Sequence, residues 1–190
     1  MGKKRDEALE RLVEVRDEQA LVRIDRGGEL DLLEGYVVAI GTEWLLLALL
    51  DPAVVLDGHT ALRLTDLRRV RRRQSGEMAQ QALTLRGQWP PMPPEPGLDL
   101  DSTDGLLASL MTQPVLTIHP EHDNPDICFV GAPVARDDRT LRLVEVTPRG
   151  VWNSRPTKYR VAGITRIDIG GRYEQALLSV AGPVADAQGG

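Results

Sequence analysis

Several things are scarce in this 190-residue chain, and each scarcity excludes something. There is one cysteine, Cys128, so no intrachain disulfide can form, and a reducing compartment fits. There is one Phe among only 4% aromatic residues, so a core must be built from Leu, Val, Ile and Ala. The longest apolar run, Leu45–Leu50, is far shorter than the roughly 20 residues of a membrane helix. Met1-Gly2-Lys3-Lys4-Arg5-Asp6 leads into Glu and Arg, which does not suit a signal peptide. A cytoplasmic protein without membrane association is the expectation. Lysine is also scarce, but arginine is not. With 23 basic and 28 acidic residues the net charge is -5, and such a balance gives no global reason to bind nucleic acid.

What is present is a 42% hydrophobic chain with turn signals at short intervals. Leu9, Leu12 and Val13 at helical spacing predict a helix over 6–19, with Asp6 as its N-cap. Leu21-Val22-Arg23-Ile24 reads as a strand and Arg26-Gly27-Gly28 as its turn. Strands follow over 30–40 and 44–50. After turns at Asp51-Pro52 and Asp57-Gly58 come two short strands, over 61–64 and 67–71, and a helix near 76–85. Then the composition breaks. Five of the seven residues in Pro90-Pro91-Met92-Pro93-Pro94-Glu95-Pro96 are proline, which reads as a semi-rigid linker or, less simply, a site for a proline-recognising partner. Ser102 then caps a short helix.

The second half repeats the first. Gly131 placed under Gly35, an offset of 96, aligns 35–56 with 131–152 without a gap. Identities include Val38/Val134, Leu45/Leu141, Leu47/Leu143 and Pro52/Pro148. One inserted residue shifts the offset to 97, which sets Leu62-Arg63-Leu64 over Tyr159-Arg160-Val161 and Leu67-Arg68-Arg69-Val70 over Ile164-Thr165-Arg166-Ile167. Agreement of apolar spacing, turns and insertion is the signature of a tandem repeat. The expected division is 1–87, first unit; 88–101, linker; 102–182, second unit; 183–190, flexible tail. Each unit reads as a short helix, five short antiparallel strands and a closing helix. So small a sheet buries one face best by bending nearly shut, with Gly35 and Gly131 at the sharp bends.

On these residues the chain resembles the Sm-like (SH3-like) small β-barrels. The carriers are the mid-strand Gly35 and Gly131 and the paired short strands Leu62–Leu64 with Leu67–Arg71. The resemblance implies two mainly β barrels in tandem, and RNA binding or assembly through strand edges. The family's RNA-pocket residues are not retained at Gly41-Thr42-Glu43 or at Leu64-Thr65-Asp66. The string from Gly35-Tyr36-Val37-Val38 through Asp57-Gly58-His59 is also similar to uncharacterised bacterial proteins.

Three sets of residues are candidates for chemistry. Arg68-Arg69-Val70-Arg71-Arg72-Arg73 puts Arg69, Arg71 and Arg73 on one strand face, either to contact phosphates or to protect an exposed edge. Arg149 and Trp152, in the segment where the copies differ most, suit a partner-binding surface. His119-Pro120-Glu121-His122-Asp123 contains metal-type ligands in His119, His122 and Asp123, yet a polar hairpin loop would look the same. Cys128, aligned with Leu32, is expected to be a small buried strand residue. No nucleophile–base motif, phosphate loop or metal spacing is visible, so no cofactor is expected. The leading expectation is a non-enzymatic binding or scaffold module that engages a protein partner or itself. The alternatives are a nucleic-acid binder using the arginine stripe and a small enzyme or ligand carrier with an interdomain site.

Overall fold

The computed structural model describes residues 2–27, 30, 32–122, 124 and 126–184, with side chains from residue 9 onward. The element order is α1 (Gly2–Asp17), β1 (Leu21–Asp25), β2 (Leu33–Ile40), β3 (Trp44–Asp51), β4 (Val55–Arg63), a 3-10 turn (Leu64–Asp66), β5 (Arg69–Arg72) and α2 (Gly76–Leu85). The same order then recurs: α3 (Thr103–Leu110), β6 (Leu116–His119), β7 (Phe129–Arg136), β8 (Thr140–Glu145), β9 (Thr157–Arg160), a 3-10 turn (Val161–Gly163), β10 (Arg166–Ile169) and α4 (Arg172–Ala181).

The protein is mainly β, as expected, but the strands do not form two closed barrels. They form one ten-stranded antiparallel sheet in the order β5-β1-β2-β3-β4-β10-β6-β7-β8-β9. Within each half the order is fifth, first, second, third, fourth. The halves meet where β4 pairs with β10, through Leu62↔Arg166, Ala61↔Ile167, Thr60↔Asp168 and His59↔Ile169. The physical reason for the difference is that the fourth strand of the first half finds its outer partner in the second half.

Equivalent irregularities fall 96 residues apart. The β2–β3 register shifts between Val37 and Ala39, and the β7–β8 register between Pro133 and Ala135. A Cβ on Gly35 would lie 2.2 Å from the Ala48 carbonyl oxygen, and one on Gly131 2.6 Å from that of Val144. Both glycines let the backbone of the neighbouring strand approach closely. The turn expected at Asp51-Pro52 lies at 52–54, where Asp51 Oδ1 accepts the Ala53 N–H at 2.6 Å, but the further turn expected at Asp57-Gly58 does not form. Gly58 stays within β4 at a positive φ of 68°.

Helices α1 and α3 supply Leu12 and Val15 to one core and Leu106, Leu107 and Leu110 to the other. The first core holds Leu45, Leu47 and Leu62; the second holds Leu141, Leu143, Ile167 and Ile169 together with Trp44, Leu46 and Ala61 of the first half. Strand β3 is therefore apolar on both faces because both are buried, which accounts for its uninterrupted Trp-Leu-Leu-Leu-Ala run. The proline-rich segment is laid along the protein. Trp89 packs edge-on against Tyr36, His59 Nε2 donates to the Met92 carbonyl at 2.8 Å, and Leu98 and Leu100 join the second core. No helix among the described residues is long and apolar enough to cross a membrane.

Candidate interaction surfaces

The β4–β10 joint shows how one half of this chain recognises the other. Ala61 and Ile167 are fully buried opposite each other, flanked by Trp44 and Leu46. Arg63, at the end of β4, locks the seam. Its Nε donates to the Ile164 carbonyl at 2.7 Å and its Nη2 to that of Val161 at 3.1 Å, while the guanidinium lies over the Trp44 ring at 4.6 Å. The planar, multi-donor guanidinium suits such a clamp; an ammonium does not. Trp44 Nε1 in turn donates to Thr103 Oγ1 at 3.0 Å.

A buried ion pair ties the loops on one side of the joint. Arg26, after β1, is wholly inaccessible and forms a two-pronged pair with Glu121, after β6, with 2.9 Å from Nη2 to Oε1. Thr165 Oγ1 donates to the same carboxylate. Glu121 thus comes from the loop that suggested a metal site, but it neutralises an arginine 95 residues earlier. The other members of that loop diverge. His119 Nε2 donates to Asp168 Oδ2 at 2.9 Å, and His122 Nε2 lies 3.4 Å from Asp66 Oδ1. Asp123 lies outside the described residues. No group of three metal-type ligands occurs among the described residues.

Asp168 sits at the joint opposite Thr60 and Thr117. Burial pushes its pKa up, but the His119 hydrogen bond and the Arg166 guanidinium outweigh burial and hold it at about 2. The folded pKa is thus below the unfolded value of 3.8, so the contribution to stability is complete above about pH 4 and lost as pH falls toward 2. Asp168→Asn is expected to flatten this part of the acid-unfolding profile, read by urea unfolding at several pH values; an unchanged slope would count against the assignment.

The arginine stripe forms the free β5 edge, and its members are not alike. Arg72 reaches back to α1, pairing with Glu14 at 3.2 Å and with Glu18. Arg73 shares Glu34 with Arg23, at 3.1 and 2.9 Å. Arg68, Arg69 and Arg71 are exposed and form no side-chain ion pair among the described residues. At the other end of the sheet, β9 is free, and Arg142, Lys158 and Arg160 are exposed on one face of β8 and β9. The second basic edge was overlooked in the sequence because its residues are spread over two strands, and only the pairing of Arg142 with Lys158 brings them together.

Arg149 is exposed, whereas Trp152 is half-buried beside Val146 and Leu177, its Nε1 donating to the Gly182 carbonyl at 3.0 Å. Cys128 is exposed rather than buried, because like the exposed Leu32 it precedes its strand. Partial burial and then the Asp168 carboxylate push its thiol pKa up, the wrong direction for a nucleophile. A groove of about 580 Å³ lies within the first half, lined by Leu21, Arg23, Leu33, Glu34, Arg73 and Met78, and not between the halves. Its Arg23 and Arg73 are held by Glu34. No family model, no curated protein and no solved structure matches this chain.

Proposed function

We propose that the protein is a non-enzymatic cytoplasmic binding or scaffold module built from two Sm-like units in tandem, which docks a protein partner along a strand edge. The observation that carries this reading is the β4–β10 joint, where one unit accepts a strand of another through paired backbone, a shared apolar face and an arginine clamp. The recurrence of bulge, glycine and 3-10 turn at offsets of 96 and 97 supports the tandem origin. A partner other than a second copy is favoured, because both outer edges are basic and repel one another. The test is capture of partners by the full chain from its native cell extract, with and without nuclease. Proteins retained after nuclease are the expected result. Capture that vanishes with nuclease, or turnover of a small substrate abolished by a single substitution, would overturn the reading.

The second reading, nucleic-acid binding at β5, rests on Arg68, Arg69 and Arg71 lacking ion-pair partners among the described residues. It expects salt-sensitive binding to RNA or DNA that Arg69→Ala with Arg71→Ala weakens more than Arg72→Ala with Arg73→Ala. Equal losses, or no binding at low salt, would remove it.

A further inference from the structure

The two halves use their fourth strands differently, and the difference is confined to a few equivalent positions. In the first half Leu46 opposes Ala61 and Trp44 opposes Arg63; in the second, Arg142 opposes Lys158 and Thr140 opposes Arg160. The register is the same, at offsets of 96 on the third strand and 97 on the fourth. At Trp44, Leu46 and Ala61 this face is apolar and buried in the second core, with Arg63 part-buried at its end. On β9 it is basic and exposed. The same surface that accepts β10 in one half is thus kept open and given positive charge in the other.

Its charges are available. Arg142 and Lys158 form no side-chain hydrogen bond or ion pair among the described residues. Asp137, which interacts electrostatically with Lys158, is occupied by Thr140 Oγ1 at 2.6 Å and the backbone N–H of Arg139 at 2.9 Å. The backbone edge of β9 has no strand partner on its outer side.

We propose that the β9 edge docks an extended, acidic strand of a partner protein, added antiparallel as β10 adds to β4, with alternate carboxylates against Arg142 and Lys158. The inference rests on the edge-docking reading above and names the chemistry of the partner. Backbone pairing would supply much of the affinity and the alternate side chains the selectivity. A second copy of this chain does not fit, since in the β10 register its β5 would set Val70 opposite Lys158 and carry Arg69, Arg71 and Arg72 without an acid. A nucleic acid fits less well, because Tyr159 is only 8% exposed, so β9 offers no aromatic face for base stacking, and phosphates leave the peptide edge unused.

The test uses the full chain and a labelled synthetic peptide with the sequence of residues 163–171 carrying Ile167→Glu and Ile169→Glu, two positions whose side chains would share the face of Lys158, opposite Lys158 and Pro156 in the β10 register. Fluorescence anisotropy is expected to show binding that falls about tenfold or more with the unsubstituted peptide and with the double variant Arg142→Glu/Lys158→Glu. Both substituted residues are exposed, and circular dichroism checks that the variant stays folded. Three results would each overturn the proposal: equal binding of a scrambled peptide, indifference to the double charge reversal, or tighter binding of a single-stranded oligonucleotide at the same residues. If the peptide fails while nuclease-resistant capture of a protein persists, the β9 assignment falls and the wider binding reading stands. Loss of both removes the wider reading too.

Discussion

Glu121→Ala destabilises the protein by about 3–5 kcal/mol, the cost of leaving a buried charge without its partner. Arg26 is wholly inaccessible, and its Nη1 and Nη2 both end on Glu121. Its Nε has no partner among the described residues, so the guanidinium has no second acceptor to turn to. Thr165 loses its acceptor in the same variant. The informative companion is the double variant Arg26→Met/Glu121→Leu, which removes both charges and is expected to recover most of the loss. Urea unfolding of the three proteins decides the matter. A loss below about 1 kcal/mol in Glu121→Ala would place the pair in a wetter site, where ion pairs contribute little.

Ala61→Lys is expected to be worse than any surface substitution in the chain, costing on the order of 4 kcal/mol, because it buries an unpaired charge. The change copies Lys158 onto the equivalent position of the first half, where Ala61 is fully buried opposite Ile167 and beside Trp44 and Leu46. The reciprocal change, Lys158→Ala, removes an exposed charge from a free edge and is expected to alter stability by less than about 0.5 kcal/mol. The two variants thus exchange one pair of residues between equivalent positions with opposite consequences. Denaturant midpoints for the pair test the claim that one fourth strand is a joint and the other an open edge. Similar midpoints would refute it.

Much of the fold was legible because its signals are local. Most turn residues separated strands, though Asp57-Gly58 lies within β4, Gly35 and Gly131 marked close approaches of neighbouring backbones, and the offset of 96 aligned the halves. The joint was not legible from such signals, since Leu62 and Arg166 are neighbours only in space. A trace of it was nevertheless present. Strand β8 interrupts its buried residues with one exposed charge, Arg142, between the inward Leu141 and Leu143. Strand β3 does not alternate, and the only arrangement that satisfies Trp44, Leu45, Leu46 and Leu47 together covers both faces. The candidate sites divided in the same way. The arginine run could be read directly, but not that Glu14, Glu18 and Glu34 neutralise Arg72 and Arg73. Glu121 read as one member of a polar loop because its partner, Arg26, lies in the other half.

The joint also sets the order of events on the ribosome. The surface of Trp44, Leu46 and Ala61 is complete once β4 has been made, yet its cover comes from residues that emerge later. Leu100 and Thr103 reach Trp44 first, through the backbone N–H and the indole Nε1. Ile167 arrives only when nearly the whole chain has been synthesised. At about 5–20 residues per second the nascent first half carries an uncovered apolar face for several seconds. Translation stopped between β4 and β10 therefore leaves a fragment with a sticky strand edge, and Leu98 and Leu100, just after the proline-rich segment, are its earliest available shield.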